Sequence, residues 1–191
     1  ETYECRCHGS KYDKDGNITS SYSESDAKFI GKNRYAPWSG GINLNLSWKG
    51  LALNASFSGV FGKYIENYDR YFIENPSFAD ESNMTVRMLN IWTKPGQITD
   101  IPRADETIKH DSRWIDNASF VRLKNLQLSY TFPRTLIQRS NILSGLKVYA
   151  TGRNLLTFTG YKGIDPEVDY ETASGDYPNT KQITVGVEFT F

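Results

Sequence analysis

The sequence predicts an all-β protein containing about five long antiparallel strands from the C-terminal part of a large transmembrane β-barrel. Long stretches alternate apolar and polar residues, aromatic residues stand near the ends of the apolar face, and the connections between strands are alternately short and long. We assign residues 37–191 to strands and their loops, and residues 1–36 to a preceding extracellular loop region.

The first two predicted strands form a hairpin. In the first strand, Trp38 and Trp48 stand at the two ends of one face. The apolar residues Ile42, Leu44 and Leu46 lie on that face between them. At about 3.3 Å per residue and a tilt near 45°, the tryptophans are separated by roughly 23 Å of height. This height matches the lipid-facing band between two aromatic girdles, so we assign both tryptophans to the membrane girdle. The opposite face of the hairpin should point to the lumen, and it carries Asn43, Asn45, Asn54 and Ser56.

Three further strands follow. The third is predicted from about Trp114 to Phe132, and its apolar parity changes near Lys124 and Asn125, which indicates a β-bulge. The fourth is predicted near residues 146–156 and the last from about residue 181. The last strand alternates without a break and adds Phe189 to the predicted girdle.

The connection lengths predict which side of the membrane each loop occupies. Residues 62–112 and 157–180 form two long connections, whereas the other two connections are shorter. Bacterial barrels have long extracellular loops and short periplasmic turns, so we expect the long connections outside and the C-terminus in the periplasm. Five strands cannot close a barrel in lipid, so we expect the remaining wall in other parts of a longer protein.

Composition excludes several functions. The 22 basic and 22 acidic residues balance, which argues against a nucleic-acid partner. The chain has two histidines and lacks a nucleophile-elbow serine or a phosphate-binding glycine loop, so we predict that it is not an enzyme. Cys5, Cys7 and His8 offer three zinc ligands without an obvious fourth, and an ordinary polar loop is the alternative.

We predict no cofactor, with calcium as the alternative at two places. Asp165, Glu167, Asp169 and Glu171 form an acidic string that offers oxygen ligands or simply a solvated loop. A second calcium-loop pattern lacks the glycine that the motif requires at position six and comprises Asp13, Asp15, Asn17 and Glu24.

Four stretches resemble the SusC-like (SusC/RagA) TonB-dependent outer-membrane transporters of Bacteroidota. They are Gly40-Gly-Ile-Asn-Leu-Asn-Leu-Ser-Trp48, Phe120-Val-Arg-Leu-Lys-Asn-Leu-Gln-Leu-Ser-Tyr-Thr-Phe-Pro133, the region 152–168 and the region 177–191. The resemblance covers nearly the whole chain from about Phe29. It implies a barrel of about 22 strands, with the N-terminal plug and most of the barrel outside this chain.

The resemblance also implies function and partners. It implies a nutrient importer for oligosaccharides or peptides, energised through TonB and covered by a SusD-like surface lipoprotein, with the bilayer and the rest of the barrel as further partners. Phe191 matches the terminal aromatic residue of the barrel-assembly signal. The alternatives are a siderophore- or cobalamin-type TonB-dependent receptor, or a secreted carbohydrate-binding β-sandwich with strands of about five or six residues.

Candidate contact residues lie in the two long loops. Trp92, Tyr68 and Tyr71 offer aromatic faces for sugar rings or for the lipoprotein, and the alternative is that they pack their loop against itself. Asp165 and Glu167 are the corresponding candidates in the second loop, where their carboxylates are able to accept hydrogen bonds from a substrate.

Overall fold

The structure, a computed structural model, describes Asp15, Asn17, Ser25 and residues 29–99, 101–105, 112–137, 142–167 and 177–191. The chain divides into two compact units. Residues 1–34, 64–116 and 169–175 form the first unit, and residues 35–63, 117–168 and 176–191 form the second. Among the described residues, no helix has both the length and the apolar character needed to cross a membrane.

The second unit contains one antiparallel sheet of five strands, which lie side by side in the order in which they follow along the chain. These strands are β1 (Trp38–Trp48), β2 (Leu51–Phe61), β5 (Phe120–Thr131), β6 (Gly145–Thr159) and β7 (Gln182–Thr190). A short helix, α2 (Arg134–Ile137), lies between β5 and β6. In the described part of the chain, β1 pairs only with β2 and β7 only with β6, so the sheet is open at both edges.

The turn between β1 and β2 depends on two residues in left-handed conformation. Lys49 has φ 46° and Gly50 has φ 88°, as a two-residue hairpin loop of type I′ requires. The Gly50 carbonyl accepts a hydrogen bond from Thr131 N at 2.8 Å. The turn therefore fixes the hairpin register and also joins β1 and β2 to the end of β5.

The predicted bulge is present in β5. Leu123 pairs with Phe57 of β2, whereas Asn125 pairs with the preceding Ser56, so Lys124 is the extra residue. Towards β6 the register shifts at the same point, but there the extra residue lies in β6, since Asn154 and Leu155 stand opposite Lys124 alone. Because Lys124 is unpaired, Leu123 and Leu126 both remain on one face of the sheet.

The sheet has one apolar and one polar face. Cross-strand pairs place these residues together on the apolar face: Trp38, Ile42, Leu44, Leu46, Trp48, Phe57, Leu128, Phe158, Ile183, Val185, Val187 and Phe189. Most of them are exposed, and Trp38 and Trp48 expose 75% and 69% of their surface. The polar face carries Asn43, Asn45, Asn54, Ser56, Gln127, Thr151 and Thr184.

The first unit contains short elements. They are β3 (Tyr64–Glu66), α1 (Tyr68–Ile73), 3₁₀ helices at Pro76–Phe78, Val86–Asn90 and Ser112–Trp114, and most of β4 (Ile115–Asn117), which pairs with β3. The Asn67 side chain caps α1 by accepting a hydrogen bond from Arg70 N at 3.2 Å.

One prediction of strand extent was wrong. The third predicted strand, from about Trp114 to Phe132, is divided into β4 and β5. The Asn117 side chain accepts a hydrogen bond from Ser119 N at 2.9 Å, which forms a local turn. This turn interrupts the extended backbone, which the alternation of side chains alone did not reveal.

Strand lengths exclude the sandwich alternative. Four of the five sheet strands contain 11 residues or more, and the described strands of the second unit form one sheet rather than two packed sheets. The antiparallel all-β fold is confirmed.

Candidate functional site

The candidate site is a buried ion cluster on the polar face of the second unit. Arg122, on β5, donates hydrogen bonds from all three nitrogen atoms of its guanidinium. Its Nε donates to Thr157 Oγ1 at 2.9 Å, its Nη1 donates to Glu167 Oε2 at 2.6 Å, and its Nη2 donates to Asp165 Oδ1 at 2.6 Å. Arg122 therefore joins its own strand to β6 and to the loop that follows β6.

Asp165 closes this loop on itself. Its Oδ1 also accepts a hydrogen bond from Glu167 N at 2.9 Å, and its Oδ2 accepts one from Asn179 N at 3.0 Å. Asn179 Nδ2 in turn donates to Glu167 Oε2 at 3.2 Å. These bonds hold together two parts of the chain that are separated by residues 168–176.

Two lysines extend the cluster. Lys124, the bulge residue, donates to Glu167 Oε1, and Lys63 Nζ donates to the Pro166 carbonyl at 3.5 Å. The bulge has a direct consequence for the site, because it places a second cation beside the Glu167 carboxylate. We call the set Arg122, Lys124, Thr157, Asp165, Glu167 and Asn179 the loop cluster.

Burial and charge explain the pKa of Asp165. Arg122 and Asp165 are each only 3% exposed. Burial acts to raise the pKa of the Asp165 carboxyl, but hydrogen bonds from Arg122, Glu167 N and Asn179 N together hold that pKa below its ordinary value. The carboxyl is thus ionised at neutral pH, and its charge is balanced by the adjacent guanidinium.

The first unit has its own polar network. Arg70 donates to Asp116 at 2.9 Å and to Glu74 at 3.1 Å, and Arg87 donates to Glu74 at 2.8 Å. Burial acts to lower the pKa of Arg70, but Asp116 and Glu74 outweigh it and raise that pKa. For Asp69, burial raises the pKa. The network fixes the short helix α1 against β4.

Two predicted contact residues, Tyr68 and Tyr71, lie in an aromatic cluster. Their ring centroids are 6.0 Å apart, and the Tyr71 ring meets the Trp114 ring edge-on at 5.6 Å. Trp114 is fully buried. Both tyrosines are half-buried, so these contacts agree with packing of the loop against itself, and a substrate role for them stays a prediction.

Trp92 lies in a different part of the first unit. Its backbone N–H donates to the Ile101 carbonyl at 3.1 Å, and its side chain is half-buried. Trp92 is thus not part of the ring contacts that join Tyr68 and Tyr71 among the described residues.

The predicted girdle residues share the apolar face. Trp38 and Trp48 stand at opposite ends of β1, and Phe189 lies at the end of the sheet where Trp48 lies, since the pairing runs from Leu51 through Tyr130 and Val148 to β7. Phe158 is exposed on the same face near the end where Trp38 lies. The girdle itself stays a prediction, as does the assembly role of the exposed Phe191.

The calcium and zinc alternatives fall partly outside the described residues. Within the described part of the chain, no group of three or more His, Cys, Asp or Glu is arranged to hold a metal ion. Asp165 and Glu167 are instead hydrogen-bonded to Arg122. Outside the described residues lie Cys5, Cys7, His8, Asp13, Glu24, Asp169 and Glu171.

Sequence reasoning identified the acidic half of the loop cluster but missed its basic half. Arg122 and Lys124 were seen only as part of a strand. The signal in the sequence was an arginine on the polar face of a long strand. Such a charge requires a partner when it is buried, so it predicts a nearby acidic residue.

A five-stranded antiparallel sheet with an exposed apolar face, a polar face and two open edges defines a segment of a barrel wall. No protein-family model matches the chain. A TonB-dependent receptor of Formosa agariphila is 34% identical over 192 residues, covering 94% of this chain and 18% of the receptor. The TonB-dependent receptor SusC of Bacteroides thetaiotaomicron is 27% identical, covering 94% of this chain and 17% of SusC.

Solved structures agree. The RagAB peptide importer in its open-open state matches with a TM-score of 0.85 and 41% identity, over 93% of this chain and 19% of that chain. Its closed-closed state matches with a TM-score of 0.84 and 42% identity, over 95% and 20%. The chain belongs to the SusC-like TonB-dependent receptors and spans about a fifth of the length of these relatives. The names of these relatives are those of receptors and of a peptide importer rather than of enzymes.

Proposed function

We propose that this chain forms part of the wall and outer loops of a TonB-dependent nutrient importer in the bacterial outer membrane. The observation that carries the proposal is the division of the sheet into an exposed apolar face and a polar face. Soluble proteins rarely expose so continuous an apolar surface, whereas a barrel covers it with lipid and turns the polar face to the lumen. In this role the chain catalyses no reaction.

We assign the long connections to the extracellular side. The connection between β2 and β5 contains residues 64–116 of the first unit, and the connection between β6 and β7 contributes Asp165, Glu167 and Asn179 to the loop cluster, whereas β1 and β2 are joined by only two residues. This difference in length is the ordinary asymmetry of outer-membrane barrels. The connection between β5 and β6 is also shorter than the two long connections. It lies at the same end of the sheet as the turn between β1 and β2, so we assign both short connections to the periplasmic side.

A peptide is the first candidate for the imported nutrient, and an oligosaccharide is the second. Support for a peptide comes from the RagAB peptide importer, to which the chain is 41% identical over 93% of its length. Similarity to SusC supports the broader class of TonB-dependent receptors but is lower, at 27% identity.

We further propose that a SusD-like surface lipoprotein packs on the first unit. Four apolar side chains in the described part of this unit are more than four-fifths exposed, namely Phe29, Val86, Leu89 and Ile98. Val86 and Leu89 belong to the same 3₁₀ helix. Apolar side chains displayed on an outer loop are suited to a partner protein, which would remove them from water on binding.

Uptake by cells tests the proposal. Cells that produce the full-length protein should accumulate a fluorescent oligopeptide mixture, and cells that lack the protein or lack TonB should not. A labelled oligosaccharide mixture, tested in parallel, decides between the two nutrient classes. Accumulation that is independent of TonB would contradict the importer, and unchanged co-purification of a surface lipoprotein after Leu89→Asp would contradict the proposed contact.

A further inference from the structure

The loop cluster joins residues that are far apart in the sequence but belong to one unit. Arg122 contributes from β5, Thr157 from β6, and Asp165, Glu167 and Asn179 from the connection between β6 and β7. We propose that the cluster is a latch that holds the base of this outer loop against the polar face, so that this base is a fixed part of the mouth of the transporter. Arg122 is its positioning residue.

The hydrogen bonds give the latch a definite order. Arg122 engages one atom from β6 and one oxygen from each of two loop carboxylates, and a lysine in its place has no planar fork to reach all three. Asp165 then accepts from Asn179 N at 3.0 Å, which secures the returning part of the loop. One arginine thus holds the outgoing part of the loop directly and the returning part through Asp165.

Burial makes the latch difficult to open. Arg122 and Asp165 are almost completely excluded from solvent. Separation of this pair by removal of either partner leaves an uncompensated buried charge, which is strongly unfavourable. In contrast, Lys147 and Glu188 on the same sheet form an exposed pair at 3.7 Å, which contributes little.

The chain is similar in overall fold to two states of a relative. It matches the RagAB importer in its open-open state and in its closed-closed state with TM-scores of 0.85 and 0.84, over 93% and 95% of this chain. The claim that the latch stays closed during transport rests on the proposed function, whereas the latch itself does not.

Trypsin cleavage after Lys162 tests the latch in the full-length protein in outer-membrane fragments that are open to trypsin on both faces. Lys162 is exposed and lies just before Asp165, but cleavage requires the surrounding chain to open locally. Arg122→Gln and Asp165→Ala should each accelerate this cleavage about tenfold or more. Arg122→Lys should give an intermediate rate, because the charge remains and the fork is lost.

Two matched controls separate the latch from general damage. Ile164→Ala changes the exposed neighbour of Asp165, and Glu188→Gln removes the exposed pair on the sheet. Both should cleave at rates close to wild type. Equal rates for Arg122→Gln, Asp165→Ala and the two controls would overturn the latch. If Arg122→Gln abolishes the heat-dependent gel mobility of the barrel, Asp165→Ala decides alone, since its side chain comes from the loop.

Intact cells distinguish the latch from the proposed function. With or without a protonophore, wild type should resist external trypsin at Lys162, and Arg122→Gln should be cleaved. Cleavage of wild type only in energised cells would overturn the fixed loop. If Arg122→Gln is cleaved in open membrane fragments but protected in intact cells, the extracellular assignment fails while the latch stands.

Discussion

At the level of residues, the most buried charges in the described part of the chain lie where two carboxylates of the connection between β6 and β7 meet one arginine. Asp165 and Glu167 were predicted as candidate contacts for a substrate, and the structure shows them hydrogen-bonded to Arg122. Their oxygens are engaged by protein donors, so a substrate would have to compete with a guanidinium and a backbone N–H. A structural role explains the burial of Asp165 better than direct contact with a substrate.

The pKa of Asp165 leads to a prediction about pH. Its folded-state pKa is lowered, so its contribution to the latch is complete above the ordinary carboxyl value and is lost as pH falls through the lowered value. The charged groups facing it are Arg122 and Lys124 of β5, Lys63 after β2, and Glu167 of the loop. Hydrogen exchange of the loop, corrected for intrinsic rates, should show constant protection between about pH 5 and 8.

The control for this prediction is Asp165→Asn, which cannot titrate. Loss of protection in wild type only below the ordinary carboxyl pKa, with no corresponding acid step in the variant, is the expected result. A step between about pH 5 and 7 in wild type would show that the carboxyl has a raised pKa, contrary to the hydrogen bonds that stabilise its ionised form.

The sequence predicted individual residues unevenly. Alternation placed Trp38, Trp48 and Phe189 on one face, because strand geometry alone decides the side to which each residue points. The partners of Arg122 were not predictable, because Asp165 lies more than 40 positions further along the chain and in an irregular loop. Periodicity carries no information about which residues such a loop brings to a strand.

At the level of elements, the turn between β1 and β2 is the most constrained connection. Gly50 has φ 88°, and a Cβ atom there would lie 2.5 Å from the Thr131 carbonyl oxygen. Gly50→Ala should therefore lower the free energy of unfolding by about 1–3 kcal/mol, measured by denaturant titration of the detergent-solubilised full-length barrel. Lys49→Asn is the control and should be neutral or stabilising, since asparagine tolerates positive φ.

The bulge in β5 leads to a deletion experiment. Without Lys124, the sequence Val121-Arg-Leu-Asn-Leu-Gln-Leu128 alternates without interruption, so deletion of Lys124 should yield a folded barrel in which β5 pairs with β2 without a bulge. Deletion of Ser129 removes the same number of atoms from the backbone but puts apolar and polar residues on the wrong faces. It should abolish the heat-dependent mobility of the barrel. Equal folding of the two deletions would contradict the assigned register.

Strands were more predictable than loops. All five strands of the sheet, and the bulge at Lys124, follow from alternation. The short strands β3 and β4 and the helix α1 did not, because each contains six residues or fewer and is stabilised by contacts such as Arg70 with Asp116. A contact of this kind depends on the folded loop and leaves no periodic trace in the sequence.

At the level of the whole molecule, five long strands display lipid-compatible side chains on one face and amide or hydroxyl side chains on the other. The open edges at β1 and β7 leave backbone groups that a barrel in lipid must pair with further strands. This requirement agrees with relatives of which the chain spans about a fifth. The fold and the family were both predictable from the sequence, and the substrate remains a proposal.

Arginine substitution at two neighbouring positions of β1 tests the central claim most directly. Leu44 lies on the apolar face and Asn45 on the polar face, near the middle of the same strand. Leu44→Arg should reduce the stability of the full-length barrel by about 2–4 kcal/mol, because it exposes a charge to the centre of the bilayer. Asn45→Arg should have little effect, because its charge reaches the lumen. Denaturant titration in lipid vesicles should show this difference, and equal effects of the two substitutions would contradict a lipid-facing wall.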